Sequence, residues 1–192
     1  ISKIINADLL LRDESTEKNL KSQSSPKILH IASHAYFKPE ETETFRSAII
    51  LAGANQRNSN SQNDGYLTAL EISQLNWDGT KMVTISGCQS AQGIVKRGEG
   101  VYGLRRAITL AGARSSLLSL WKVEDEATAA FMKSFYTYLK EGKSKTEALN
   151  LTQNDFRLGV ISSPDNSIAQ WSKPYYWAAF QLSGDWRPIK GL

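Results

Sequence analysis

Cys88 is the single cysteine of the 192 residues, and His34 is one of only two histidines that could work with it. A free thiol of pKa ~8.5 is only a few per cent thiolate at neutral pH, so a nucleophilic cysteine needs a base or a helix N-terminus beside it. His34 could take the proton of Cys88 and later protonate a leaving amine. Both residues follow short apolar runs. Ile28 to Ala32 leads into Ser33-His34-Ala35, and Met82 to Ser86 leads into Gly87-Cys88-Gln89. Where such runs are neighbouring parallel strands, thiol and imidazole emerge at the same sheet edge. Backbone N–H groups around Ala35 and Cys88 could then hold the oxyanion of a tetrahedral intermediate. The structural alternative is a small buried thiol and a hydrogen-bonding histidine, which is how such residues are most often used.

Three further groupings compete for a functional reading. His30 and His34 form an H-x-x-x-H pair, but on a strand residues i and i+4 stand ~13 Å apart, too far to chelate together, so His30 reads as a core or supporting residue. Gly98, Gly100 and Gly103 match G-x-G-x-x-G. A dinucleotide loop follows its strand at once, whereas the exit of the Met82 to Ser86 strand is taken by Gly87-Cys88, so the glycines read as a loop leading into a helix. Glu124, Asp125 and Glu126 follow the apolar run Ser115 to Trp121. Their charges suit a helix N-terminus, and equally a carboxylate at a strand exit could bind a substrate lysine or arginine, with Asp125 the candidate.

The elements that must position these residues are legible from pattern. Lys27 to Ser33, Ser47 to Gly53, Lys81 to Ser86, Ser115 to Trp121 and Tyr175 to Leu182 are short apolar runs that predict strands. Ile4 to Leu20 predicts a short element leading into a charged helix. Thr68 and Glu71 have capping-box spacing ahead of a helix over Leu70 to Leu75. Helical periodicity predicts further helices over Gly100 to Leu110, Glu124 to Lys140 and Ser144 to Leu158. The segments Asn55 to Gly65 and Gln89 to Glu99 read as loops, the first ending in the turn signal Asp64-Gly65. Strands separated by helices predict an α/β fold with parallel pairing.

Composition narrows the classes. A chain with 41% hydrophobic and 22% charged residues supports one ordinary globular domain rather than a disordered or collagenous chain. One cysteine excludes an intrachain disulfide framework, and two histidines beside it leave too few ligands for a zinc finger. No apolar stretch nears the ~18 residues of a membrane span. The start has no signal-peptide pattern, which makes a cytoplasmic protein the expectation. The net charge of +4 is scattered rather than gathered into a footprint, so no direct nucleic-acid contact is expected.

The strings ILHIASHAYF from Ile28, DGYLTALEI from Asp64, MVTISGCQSAQG from Met82, GEGVYGLRRAITLAGARSSLLSLWKVEDEAT from Gly98 and PYYWAAFQLSGDW from Pro174 occur in one order. In this they resemble the CHAT family, caspase-like cysteine peptidases usually joined to tetratricopeptide repeats, within the caspase, separase and gingipain clan. The resemblance implies a three-layer α/β sandwich, a mainly parallel sheet with helices on both faces. It implies His34 and Cys88 as the catalytic pair, needing no cofactor, with N–H groups of Ala35 and Cys88 as oxyanion donors. Ala35 stands where the clan often has glycine. W-x-V-x-D resembles the separase segment whose aspartate receives a basic side chain, which implies that Asp125 selects cleavage after Arg or Lys. Partners implied are a protein or peptide substrate and a tetratricopeptide-repeat or other regulatory domain that gates activity. Family domains usually carry strands upstream of the histidine strand, so the chain is expected to be a C-terminal part of a larger protein. The alternative is a masked or non-catalytic module of the same fold that docks a partner.

Overall fold

Three of the apolar runs pair as parallel strands in the order β1 (Ile28–Ile31), β5 (Met82–Ile85) and β6 (Ser115–Ser119). Ile28 stands opposite Met82 and Ile31 opposite Ile85, while Val83 and Ile85 face Ser116 and Leu118. These positions come from a computed structural model that describes residues 1–37, 47–55, 63–87, 99–163 and 171–192, without the side chains of 36, 37 and 99–102. The described chain divides into two units, Leu10–Trp121 and a second made of Ile1–Leu9 with Lys122–Leu192.

Within the first unit, alternation along the strands sends Ile31, Val83, Ile85 and Leu118 to one face, where they join Ile72, Trp77, Leu104 and Ile108 in a buried core. Each fully buried aliphatic side chain of this kind contributes roughly 1.5–3 kcal/mol. The helices of this core are α3 (Ala69–Ser73) and α4 (Glu99–Leu110). The capping box holds: Thr68 Oγ1 accepts the Glu71 N–H at 3.2 Å, and Glu71 Oε2 accepts the Thr68 N–H at 2.9 Å. Gly100 and Gly103 lie inside α4 rather than in a loop, and a Cβ at Gly103 would touch Ser47 Oγ at 3.1 Å, so the small residue lets the helix come close to Ser47. Gly98 lies outside the described residues.

Pattern reading does not anticipate a second sheet. β2 (Ala35–Phe37), β3 (Ser47–Ile50) and β4 (Tyr66–Thr68) form an antiparallel meander in that order. The run from Ser47 is therefore a strand, but it ends at Ile50 and leaves the parallel sheet. β2 and β4 have only three residues each, too few to show alternation, and Thr68 at the end of β4 also serves as the cap of α3. The turn signal Asp64-Gly65 is correct. Gly65 has φ +86°, its Cβ position is occupied by Ala54 backbone, and Asp64 Oδ1 accepts the Tyr66 N–H at 2.9 Å.

Two short helices precede this unit's strands and split the element predicted from Ile4 to Leu20: α1 (Ser2–Ile5), in the second unit, and α2 (Glu17–Lys21), with a single 3₁₀ turn at Arg12–Glu14. Glu17 on α2 is only 1% exposed and accepts the Gly65 N–H at 3.0 Å. Its other oxygen pairs with Lys21, which also reaches Glu71 at 2.8 Å. Burial pushes the Glu17 carboxyl above its usual range. Burial also acts on Glu71, but there hydrogen bonds from Lys21 and Thr68 outweigh it and hold the carboxyl low.

The second unit contains α5 (Asp125–Lys140), α6 (Lys145–Arg157), α7 (Pro174–Trp177) and β7 (Phe180–Gly184). α5 and α6 pack through Phe131, whose ring stacks on Phe180 at 4.1 Å and tilts against Phe156 at 5.4 Å. Tyr138 donates to Asp155 at 2.6 Å across the same helix pair, and Ser144 and Glu147 close a second capping box. The single strand expected over Tyr175 to Leu182 is corrected to a helical turn followed by a strand. Its aromatic residues favour β structure, but Pro174 at the first helical position presets φ for a helix, and α7 ends at Trp177.

Candidate active site

In a parallel sheet the carboxyl ends of adjacent strands open on one edge, and β1 and β5 are adjacent. The ladder continues past their last residues: the Ser86 N–H donates to the Ile31 carbonyl at 3.1 Å. Gly87 follows, and the two backbones then come into direct contact. A Cβ on Gly87 would lie 2.1 Å from the Ser33 carbonyl oxygen and 3.3 Å from the His34 nitrogen, so only glycine fits without moving the chain. His34 itself is exposed at this exit. Cys88, the next residue after Gly87, lies outside the described residues, as do residues 89–98 of the predicted loop.

β3 fixes the chain that carries His34. Ser33 Oγ donates to the Ile50 carbonyl, and the Ile50 N–H donates to the His34 carbonyl at 2.7 Å. Hydrogen-bonded and non-hydrogen-bonded pairs alternate along an antiparallel ladder, so Ala35, opposite Ile49, occupies a non-hydrogen-bonded pair and turns its N–H away from β3. Its methyl group is buried, at 1% exposure. This is the orientation a backbone oxyanion donor needs, since an N–H engaged in the ladder could not serve.

His30 sits one alternation step inside the sheet from this exit. Its Nε2 is 3.0 Å from Ser86 Oγ, and burial pushes the imidazole down to about 4, so it is neutral at physiological pH. Sequence reading places His30 in a supporting layer but does not find its partner. The signal available was Ser86, which shares the strand-exit string with Gly87 and Cys88 and follows Thr84, the residue opposite His30. Among the described residues, no group of His, Cys, Asp and Glu is placed to hold a metal ion.

Asp125 opens α5 in the second unit and is exposed, with Glu126 beside it in the first turn. Glu124 takes the N-cap position but makes no side-chain capping bond. The approach to this turn is fixed by a contact that the sequence did not suggest: the Tyr175 hydroxyl on α7 donates to the Lys122 carbonyl at 2.7 Å. Asp125 thus starts from a held backbone with its carboxylate in solvent.

No helix of the described residues is long and apolar enough to cross a membrane. Among known proteins, tetratricopeptide repeat protein 28 of Mus musculus and of Homo sapiens is each 32% identical over 118 residues. Those matches cover 62% of this chain and only 4% of the relatives' own length. The family model described as "CHAT domain" matches residues 1–185, nearly the whole sequence. A match of that extent, on a mixed α/β fold with a parallel sheet, settles the family: the chain belongs to the CHAT domain family, which lies within the caspase-like clan.

Proposed function

We propose that the chain is a cysteine endopeptidase that works through Cys88 and His34. The observation that carries this reading is the β1 and β5 pairing, with Gly87 pressed on the Ser33 and His34 backbone. Cys88 directly follows Gly87 in the sequence, which supports a thiol that works with His34. In the reaction, the Cys88 thiolate attacks the scissile carbonyl carbon and a C–S bond forms. N–H groups of Ala35 and Cys88 donate to the developing oxyanion. His34, protonated by the thiol, gives its proton to the amine as the C–N bond breaks. Water, deprotonated by His34, then cleaves the thioester and returns the thiol.

Asp125 is assigned to bind the basic side chain that precedes the scissile bond. Its exposure in the first turn of α5 supports this role, because a solvent-facing carboxylate is free to meet a substrate side chain. A tetratricopeptide-repeat partner or accessory domain gates the activity in a larger multi-domain protein. The printed name of the two relatives, and the small share of their length that is matched, support that assignment.

The test is hydrolysis of fluorogenic peptides ending in Arg, Lys or Asp, with and without tetratricopeptide-repeat domains, by the chain and by its Cys88→Ala and Asp125→Ala variants. Release after Arg or Lys that disappears with Cys88→Ala is expected. Release that persists in Cys88→Ala overturns the mechanism, and release after Asp alone overturns the Asp125 assignment.

A further inference from the structure

His30 is a histidine that the proposed chemistry does not use, yet it makes a direct side-chain bond at the strand exit. Its Nε2 lies 3.0 Å from the hydroxyl of Ser86, the last residue before Gly87. The two residues belong to adjacent strands, and the Ser86 N–H is already tied to the Ile31 carbonyl at 3.1 Å. Ser86 is therefore held at two points, one on its backbone and one on its side chain, both from β1. Immediately beyond it, Gly87 lies in contact with the Ser33 carbonyl and the His34 nitrogen. A serine held only by its backbone could tilt about the strand axis. The second tie removes that freedom where β5 meets the chain bearing His34.

We infer that His30 is a positioning residue for the proposed peptidase site: through Ser86 it fixes the end of β5 against the end of β1, and so holds Gly87, the residue before Cys88, against the chain that bears His34. This rests on the Cys88 and His34 reading. Ser86 is 9% exposed and His30 is partly buried, so few water molecules compete for the bond. Burial also keeps His30 neutral, because its imidazole titrates only near pH 4. A neutral ring can donate or accept toward the hydroxyl according to its tautomer. The bond therefore persists at neutral and alkaline pH. A misplacement of ~1 Å in an active site typically costs on the order of 10²-fold in rate, so a small tilt at Ser86 is enough to matter.

The chain has one cysteine, so the rate of iodoacetamide alkylation measured from pH 5 to 10 reports the Cys88 thiol alone. The probe needs no substrate. In the wild type the midpoint of the rate profile is expected below the ~8.5 of a free thiol, and His34→Ala is expected to return it toward that value. His30→Leu and Ser86→Ala are each expected to raise the midpoint by about one pH unit, with the double variant no worse than either single one. His30→Gln, which can still bond the hydroxyl, is expected to stay closer to the wild type. Thermal melts run alongside identify any variant that has unfolded, and Ser86→Ala, which removes a single oxygen, keeps the test available if His30→Leu does not fold. A wild-type midpoint that His34→Ala raises but both His30→Leu and Ser86→Ala leave unmoved overturns the inference alone. A wild-type midpoint already near that of a free thiol, and indifferent to His34→Ala, overturns the Cys88 and His34 reading and the inference with it.

Discussion

Gly87 and Ser33 meet backbone to backbone: a Cβ on the glycine would stand 2.1 Å from the serine carbonyl oxygen. Because the obstacle is main chain, in the segment between β1 and β2, it cannot rotate aside as a flexible side chain would. Gly87→Ala is therefore expected to cost about 1–3 kcal/mol of stability, the range for overpacking a close-packed site, or to push the two strand ends apart. Urea unfolding of the purified variant measures the first outcome. A midpoint equal to the wild type, with unchanged circular dichroism, contradicts the contact.

The pH dependence of stability follows from His30. Its imidazole is pushed from the usual 6.5 down to about 4 by burial. Between those values the unfolded chain binds more protons than the folded one, so stability rises with pH through the window and is lost as pH falls from 6.5 toward 4. A shift of this size corresponds to roughly 3 kcal/mol at most, and less for a ring that keeps some exposure. The difference in unfolding free energy between pH 7 and pH 4.5 should shrink in His30→Gln. An undiminished difference places the acid sensitivity elsewhere.

Glu17 ties three segments together, accepting from Gly65 and pairing with Lys21, which also holds Glu71. Removing it leaves a buried N–H without its acceptor and one fewer counter-charge for Lys21. Glu17→Ala is expected to lose about 3 kcal/mol, and Glu17→Gln, which keeps an acceptor for Gly65, less than half as much. Denaturant midpoints of the two variants compare these directly. Equal losses would mean that the charge, not the hydrogen bond to Gly65, carries the effect.

Under the proposed function Asp125 is the charge that meets a basic substrate side chain, and Tyr175 holds the backbone that leads to it through the Lys122 carbonyl. Asp125→Asn is expected to lower kcat/KM for peptides ending in Arg by on the order of 10–100-fold through a loss of charge-assisted bonding. Tyr175→Phe keeps the ring and removes only the hydroxyl, so a loss of a few-fold is expected. Unchanged kcat/KM in Asp125→Asn would move the specificity site away from α5.

How far the molecule can be read from its sequence depends on element length and on where each partner lies. β1, β5 and β6 are legible because a run of Ile, Val and Leu bounded by polar residues has few other uses in a small α/β protein. α5 and α6 are legible because sixteen and thirteen residues give the helical period room to show. Of the β2 to β4 meander only β3 is legible, since the three-residue β2 and β4 have no period and the pairing depends on distant partners. The aromatic run from Tyr175 misleads for a related reason: side-chain propensity favours a strand, and the local backbone constraint at Pro174 starts a helix. At the site, His34 and the strand-exit position of Gly87 are visible in the string. The His30 bond to Ser86 and the Tyr175 bond to Lys122 are not, because each joins residues far apart in sequence, and neither pairing leaves a local pattern.

The central claim is that Cys88 is a nucleophile activated by His34, and mechanism-based labelling tests it most directly. The full chain, with a tetratricopeptide-repeat partner where one is required, is incubated with a peptidyl-arginine acyloxymethyl ketone and weighed intact. A single adduct on Cys88, absent in Cys88→Ala and formed on the order of 100-fold more slowly in His34→Ala, is the predicted result. Adduct formation at the same rate in His34→Ala, or no adduct on Cys88 under any of these conditions, would contradict it.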